Sequence, residues 1–233
     1  MWSNDEEMSK EAERVFNKYL RYGYMSIGIE FQERLVEELV ELKGYIEQYR
    51  TDAIARKDEQ AANAACIIGI YADAFHEMCL MWIHFKTDKM QSAWWAMVTA
   101  QECLESGLKL FYRESLHELN RHLHAIEKLL FPKQSYVSSS LLFDSAKCNI
   151  CDSIYGECDH LKGKPYMGII CIPIVNEITG VDHIAFVEDP QDKRLNHPIL
   201  IDGKQCCSLT YRIQVLPDPT QARGTEDGEP DQP

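Results

Sequence analysis

The spacing of apolar residues changes at Phe131–Pro132, and this change limits the folds open to the chain more than any other feature. Before it, apolar residues recur at steps of three and four, which is the period of an amphipathic helix. After it, the short β-branched runs MGIICIPIV, VDHIAFVE and SLTYRIQVL are separated by Gly, Asp, Asn and Pro, a pattern typical of strands. We therefore predict an α+β protein, in which an all-α bundle of four or five helices precedes a small β-rich module.

The helical part carries two features that predict how its helices pack. An apolar seam follows one face of the segment 31–49, and its residues are Phe31, Leu35, Leu39, Leu42, Ile46 and Tyr49. The segment 61–85 is apolar on nearly every side, which is typical of the buried centre of an assembly. A break is expected near Gly107, before a last helix that ends at Phe131. Because a seam needs a partner helix, we expect a homo-oligomer or a protein partner through the helical part.

Composition divides the chain into four segments. Residues 1–131 form the predicted bundle. Residues 132–146, with the sequence PKQSYVSSSLLFDSA, form a serine-rich connector. Residues 147–216 form the β-rich module, and residues 217–233 form a polar, acidic tail that is predicted to be disordered.

Charge and hydropathy disfavour two classes of partner. The formal net charge is -13 at pH 7, whereas nucleic-acid binding requires a basic surface that releases counterions. No apolar run approaches the ~18 residues of a transmembrane helix. The acidic start, MWSNDEEMSKEAERVF, lacks the basic and apolar regions of a signal peptide. Nucleic acid is therefore disfavoured as the main partner, no membrane attachment is expected, and the cytoplasm is the predicted compartment.

The nine cysteines fall into two kinds, and their odd number fits a reducing compartment better than a disulfide framework. Cys66, Cys79 and Cys103 lie in apolar helical segments, where a free cysteine behaves as a small buried hydrophobe. Cys148 and Cys151, by contrast, open a loop-like segment in which the side chains that bind soft metals are concentrated.

That segment, CNICDSIYGECDH, has the spacing of a metal site. Cys148-x2-Cys151 lets two thiolates from one tight turn reach the same ion, and Cys158 and His160 complete a tetrahedral Cys₃His set of the structural Zn²⁺ type. Four protein ligands leave no open position for a substrate. The predicted role of the Zn²⁺ is therefore to fold the module, whose few large apolar side chains make a small core.

The fourth ligand has an alternative. Cys158-x-His160 is tighter than the usual spacing of paired ligands, although residues two apart in an extended segment point the same way. Cys171, in the first predicted strand, is the reserve fourth ligand. Cys206 or Cys207 is a weaker one.

The same region resembles a known group of sequences. FPKQ, followed by C-x2-C and by YGECDH-x2-GKPYMG, is similar to a module of uncharacterised bacterial and phage-linked proteins. The resemblance covers residues 129–195. It implies a zinc-binding motif and a microbial origin, and it lends no catalytic residue to this chain.

Two enzyme classes are weighed on the last helix. Glu114-x2-His117 has the spacing of a carboxylate-bridged di-metal bundle, but the apolar stripe of the helix turns both residues toward solvent. Arg113-x3-His117 is one residue short of the Arg-x4–6-His motif of HEPN ribonucleases. With Arg121 and His124, these residues more simply form a solvated helix face.

A polar stripe on the apolar segment 61–85 is a third candidate. Its residues are Asp73, His76, Glu77 and His84, which fall on one side of a helical projection. Polar residues aligned in this way must reach water, a hydrogen-bond partner or a ligand, and an exposed helix edge is the simplest interpretation.

We therefore expect a non-catalytic zinc-binding adaptor or accessory subunit that acts through protein–protein interaction, in a bacterial phage-defence or other phage-related system. The alternative is an enzyme, either a HEPN-like ribonuclease or a metal-dependent hydrolase, with its site on the helical bundle.

Overall fold

A computed structural model describes residues 4–190, 192–194, 199–201, 204–210 and 212 of the protein. Within this part of the chain, helices come first and strands follow, so the predicted α+β class is confirmed. The helices are α1 (Asn4–Tyr22), α2 (Ile29–Ala55), α3 (Glu59–Lys86), α4 (Met90–Leu110) and α5 (Glu114–Leu130).

Helix α3 lies at the centre of the bundle. It packs along both α2 and α4, whereas α1 lies mainly against α2, and α5 against α4. Within the described residues, α3 is also the one helix whose length and hydropathy match a membrane span, with 44% of its most apolar window buried. A central bundle helix needs the same apolar composition. The fold is thus compatible with a soluble protein.

The predicted seam forms the buried face of α2. Five of its six residues are buried: Leu35, Leu39, Leu42, Ile46 and Tyr49. The exception is Phe31, which is 42% exposed, while its neighbour Gln32 is fully buried. The Gln32 side chain donates to the Tyr24 carbonyl at 2.8 Å and accepts from the Lys86 ammonium at 2.7 Å, which offsets the cost of burying an amide.

The sequence predicted a break between the last two helices near Gly107, and the structure has this break after Leu110. Helix α4 continues through Gly107 to Leu110, and the turn follows it. Gly107 instead allows a close approach between helices, because a Cβ there would lie 2.7 Å from the Tyr71 ring. The Tyr71 hydroxyl donates to the Phe111 carbonyl at 2.6 Å, which holds the chain where α4 ends.

The β-rich part consists of four two-stranded antiparallel pairs among the described residues. Their strands are β1 (Tyr136–Phe143), β2 (Ala146–Cys148), β3 (Pro165–Tyr166), β4 (Ile169–Ile170), β5 (Pro173–Val175), β6 (Ile178–Val187), β7 (Ile199–Ile201) and β8 (Lys204–Cys206). The pairs are β1 with β6, β2 with β5, β3 with β4, and β7 with β8.

The segment 132–146 is more than a connector. Strand β1 lies within it and pairs along its whole length with β6, from Tyr136 opposite Val187 to Phe143 opposite Ile178. The serine run does not predict a strand, because serine has little intrinsic preference for strands. What favours the strand here is its cross-strand partners, which the sequence does not identify. The division of the chain at 131, 146 and 216 into separate units stays a prediction.

Two other expectations concern the end of the chain. The run SLTYRIQVL was expected to be a strand, but its first residues, 208–210, form a turn. Leu209 within this turn is buried in the core of the bundle. The predicted disordered tail, 217–233, lies outside the described residues.

Residues 192–194 return to the bundle and form a polar contact, which we call the Glu127 clamp. The Lys193 ammonium lies 2.8 Å from the Glu127 carboxylate, which also accepts from the Gln101 amide at 2.7 Å. The Trp94 indole N–H donates to the Lys193 carbonyl at 2.9 Å. Burial disfavours the charged form of Glu127, but Lys193 and Gln101 outweigh it and hold the pKa of Glu127 below its usual value.

Candidate metal centre

The cysteine segment is positioned by two small hairpin-like units. Strand β2 ends at Cys148, and a tight turn follows it. Asp152, just after Cys151, has a positive φ of +58°. The β3–β4 hairpin then returns the chain to Cys171. Its two-residue loop, Met167–Gly168, has positive φ at both positions, as two-residue hairpin loops of type I′ require.

The structure brings the four predicted ligands together. One potential ligand atom from each of Cys148, Cys151, Cys158 and His160 lies within 4.8 Å of all the others, so the group can hold a metal ion. Cys148 is buried, Cys151 is exposed, and the other two are half-buried. The site therefore lies at the module's surface with one side closed.

Backbone N–H groups are directed at the sulfurs, as in a metal knuckle. Burial opposes ionisation of Cys148, but the N–H groups of Ile150 and Cys151, with the neighbouring thiols, lower its pKa to about 7. The backbone and hydroxyl of Ser153 lower the pKa of Cys151. Because thiolates are the form that binds metal, these donors prepare the segment for a cation.

Cys171 also reaches the cluster. Its sulfur lies 3.8 Å from the Cys148 sulfur, and both residues are fully buried. Two sulfurs bound to one tetrahedral Zn²⁺ at ~2.3 Å lie ~3.8 Å apart, so this pair fits a shared ion. Burial and then the neighbouring Cys148 raise the pKa of Cys171, and a cation bound between the two sulfurs would lower it.

Asn149 holds Cys171 beside Cys148. Its side-chain amide donates to the Ile170 carbonyl at 2.9 Å, and its side-chain oxygen accepts from the Ile172 N–H at 2.8 Å. The two bonds bracket Cys171 on both sides. Asn149 thus joins the first turn of the cluster to the strand segment that follows the hairpin.

His160 is held by a ring contact. Its ring meets the Tyr166 ring edge-on, with centroids 4.6 Å apart, and the Tyr166 hydroxyl accepts from the Leu161 N–H at 2.9 Å. The Nδ1 atom of His160 is buried and has no hydrogen-bond partner within the described residues. A buried nitrogen without a partner is costly, and a metal ion in the cluster is one way to satisfy it.

The remaining cysteines have a different environment. Burial raises the pKa of Cys79 to about 12, and it does the same for Cys103. This agrees with their predicted role as apolar residues of the helices. Cys206 is buried and Cys207 packs against the bundle core, and neither belongs to the group of ligand atoms found within the described residues.

The hairpin that leads to Cys171 is fixed to the bundle at Gly168, a contact that we call the Gly168 clamp. The Gly168 N–H donates to the Asn63 side chain and its carbonyl accepts from Arg50, both at 2.7 Å. A Cβ at this position would lie 3.0 Å from the Arg50 side chain and 3.1 Å from the Ala62 carbonyl. Close approach and a φ of +75° both require glycine here.

The predicted sites on α5 lie on a helix face that is exposed at Glu114 but half-buried at His117, whose Nδ1 atom is buried without a hydrogen-bond partner among the described residues. Glu114, His117 and Glu118 place ligand atoms within 4.8 Å of one another, but Glu114 is exposed and accepts from the Tyr112 hydroxyl. Neighbouring acidic groups at a surface occur commonly without a metal ion. His124 lies farther along the helix, 3.2 Å from Glu105 on α4.

The polar stripe of α3 is half-buried. Asp73 pairs with the Lys43 ammonium of α2 at 2.6 Å, and His76 lies 3.1 Å from its neighbour Glu77. The Nδ1 atom of His84 is buried without a hydrogen-bond partner among the described residues, and burial lowers the pKa of His84. Most of the stripe thus makes ordinary side-chain pairs.

The sequence interpretation missed the residues that position the ligands. Asn149 lies inside the C-x2-C turn, where an amide is a common turn residue and gives no further signal. Tyr166 and Gly168 were visible only as part of the string GKPYMG. Comparison of the chain with protein families, with curated proteins and with solved structures found no match.

Proposed function

We propose that the protein is a non-catalytic adaptor whose cysteine-rich module is folded around one structural Zn²⁺. The observation that carries the proposal is the convergence of Cys148, Cys151, Cys158 and His160 within 4.8 Å. Sulfur and imidazole donors in a tetrahedral set favour Zn²⁺ over the harder cations, which prefer oxygen ligands.

The residues around the site support a structural role for the ion. Cys148 and Cys171 are the buried pair, and no large apolar side chain between 144 and 180 is buried with them. A module of this size needs a metal or disulfides in place of a core. With His160 or Cys171 as fourth ligand, the coordination is closed to substrate, so the protein acts by binding and not by chemistry at the metal.

The cellular setting belongs to the same proposal. We propose an accessory role in a phage-related system, on the basis of the resemblance that the motifs FPKQ, C-x2-C and YGECDH-x2-GKPYMG bear to bacterial and phage-linked proteins. Purification of the full chain from its native host tests the adaptor role. We expect a stable protein partner in fixed stoichiometry, and a lone chain with a bound small molecule would contradict an adaptor.

Elemental analysis of the full-length protein tests the metal. We expect about one equivalent of zinc, lost in Cys151→Ser and retained in Cys207→Ser, since Cys207 packs on the bundle. A zinc content of less than about half an equivalent per chain, together with no change of structure when a chelator is added, would contradict the proposal. Substitution by Co²⁺ then identifies the fourth ligand, because the sulfur-to-metal absorption of His160→Ala and Cys171→Ala reports the number of thiolates bound.

A further inference from the structure

The β1–β6 pair is an isolated two-stranded ribbon with an apolar outer face. No third described strand pairs with either of its edges. At its base, Tyr136 and Val187 pair with each other and pack on the bundle core. A ribbon of two strands is marginal in water, and it normally needs a further layer against its apolar face.

Cross-strand pairing assigns the residues of the outer face. Paired residues of antiparallel strands share a face, and residues two apart along one strand share it too. Tyr136 marks the face toward the bundle, so Ser139, Leu141 and Phe143 lie on the opposite one. Their partners on β6 are Ile184, Val181 and Ile178 respectively. These three share the face although they are three residues apart, because the register shifts between Ser140 and Leu141 and again between Leu142 and Phe143.

We call the apolar members of this face the outer stripe: Leu141, Phe143, Ile178, Val181 and Ile184. Their side chains are 43% to 68% exposed, and Phe186 continues the line toward the base of the ribbon. The face toward the bundle carries mainly small and polar residues instead, including Ser138 and Ser140, with Leu142 as an exposed apolar residue at its far end. The pattern is the reverse of that of a strand pair facing water, and it marks a contact surface.

We propose that the outer stripe is a self-association surface, on which a second copy of the chain packs its own stripe. Large apolar side chains of roughly 150–200 Å² with these exposures give roughly 400–550 Å² per copy for the five residues of the stripe, and Phe186, which is 74% exposed, adds roughly 110–150 Å². A face-to-face pair then buries roughly 1,100 Å², which reaches the size of a specific interface. The product is a four-stranded sandwich about a two-fold axis, the commonest symmetry of homo-oligomers.

Charge limits where two copies of the chain can meet. The chain carries a net charge of -13, so two copies repel each other across most surfaces. The outer stripe itself has no charged residue. Three acids adjoin it in the sequence, Asp144, Glu177 and Asp182, of which Asp182 lies 2.9 Å from His183. The same net charge disfavours an anionic lipid surface as the occupant. The proposal differs from the sequence expectation, which located association in the helical part, and it does not depend on the metal.

The test compares two lysine substitutions in the full-length, metal-loaded protein. Ile184→Lys places a charge in the outer stripe, and Val40→Lys changes a comparably exposed residue, 54% exposed, on α2. By sedimentation, we expect a dimer for the wild type and for Val40→Lys, and association at least about 30-fold weaker for Ile184→Lys. The zinc content of all three proteins is expected to be equal, which separates this proposal from the metal.

A measurement on the unaltered protein guards against misfolding of the variant. Amide exchange over 136–143 and 178–187 should slow as protein concentration rises, while exchange in α2 stays constant. A wild-type monomer at about 100 μM overturns the proposal, even if it binds neutral vesicles through the ribbon. Dissociation by Val40→Lys with none by Ile184→Lys overturns it as well, in favour of the helical part.

Discussion

The bundle and the cysteine-rich module use the same residue type in opposite ways. In α3, Cys79 is buried among apolar side chains, and burial raises its pKa to about 12. In the module, Cys148 is equally buried, yet backbone N–H groups hold its pKa near 7 despite that burial. The two cysteines therefore differ in the hydrogen-bond donors around the sulfur, which for Cys148 include backbone N–H groups and the neighbouring thiols.

The two regions also differ in what is buried. The bundle encloses large side chains such as Trp94, Phe75 and Met97, which exclude water by their volume. Between residues 144 and 180, only Cys148, Gly168 and Cys171 are buried. Two of these are candidate ligands and one is the contact to the bundle. The bundle has a hydrophobic core, and the module has a cluster of donors in its place.

Substitution of a candidate metal ligand should show most clearly that the two regions are stabilised in different ways. Cys148→Ser should release zinc and remove amide protection over 146–171, because zinc binding contributes on the order of ten kcal/mol to small modules. Helical circular dichroism should stay largely unchanged. Cys66→Ser, which alters a half-buried cysteine of α3, is the control and should keep both signals. Loss of the helical signal in Cys148→Ser would show that the bundle depends on the module.

The converse experiment perturbs the bundle core. Leu39→Ala removes a fully buried seam residue, and we expect a loss of about 2–5 kcal/mol in the free energy of unfolding. The neighbouring Val40→Ala, at an exposed position, should change it by less than about 0.5 kcal/mol. Thermal and denaturant unfolding followed by circular dichroism measure both. Zinc content should be equal in the two variants, and zinc loss in Leu39→Ala would contradict independent stabilisation.

The Gly168 clamp tests how the regions are joined. Gly168→Ala and Gly163→Ala both force alanine into positive φ, at +75° and +80°, but only position 168 faces the bundle. Backbone strain should lower the free energy of unfolding of each variant by about 1 kcal/mol. In Gly168→Ala, the clash with Arg50 and Ala62 should lower it by about 1–2 kcal/mol more. Hydrogen exchange of the β3–β4 hairpin should rise in Gly168→Ala alone. Equal exchange in both variants would mean that the clamp does not hold the hairpin.

The smallest effect is expected at the Glu127 clamp. The folded-state pKa of Glu127 is lowered, so its stabilisation is present above the unfolded pKa of ~4.3 and is lost as pH falls through the folded value. Glu127→Gln should cost about 1–2 kcal/mol at pH 7, and the difference from wild type should shrink below about pH 4. Denaturant titrations at pH 7 and pH 3.5 measure it. A constant difference between the two pH values would contradict the charged pairing with Lys193.

Features that depend on residues near in sequence could be predicted from the sequence. The period of three and four fixed which face of α2 is buried, because a helix repeats its direction every 3.6 residues. The C-x2-C spacing and His160 predicted a cluster of side chains that could hold a metal ion, because one tight turn directs two nearby thiols to the same point. The α+β class followed from the change of period at Phe131–Pro132. In each case the deciding contacts span a few residues.

Features that depend on distant partners appeared only in the tertiary structure. Strand β1 forms because β6, about 40 residues away in the sequence, supplies its hydrogen bonds. A serine-rich segment does not by itself predict such a distant pairing. Gly107 lies inside α4, where the absence of a Cβ leaves room for the Tyr71 ring, and Cys171 lies beside Cys148 because Asn149 brackets it. The physical reason is common to all three. A local sequence pattern favours the conformation of a segment, whereas the packing of the whole chain decides which distant residues that segment contacts.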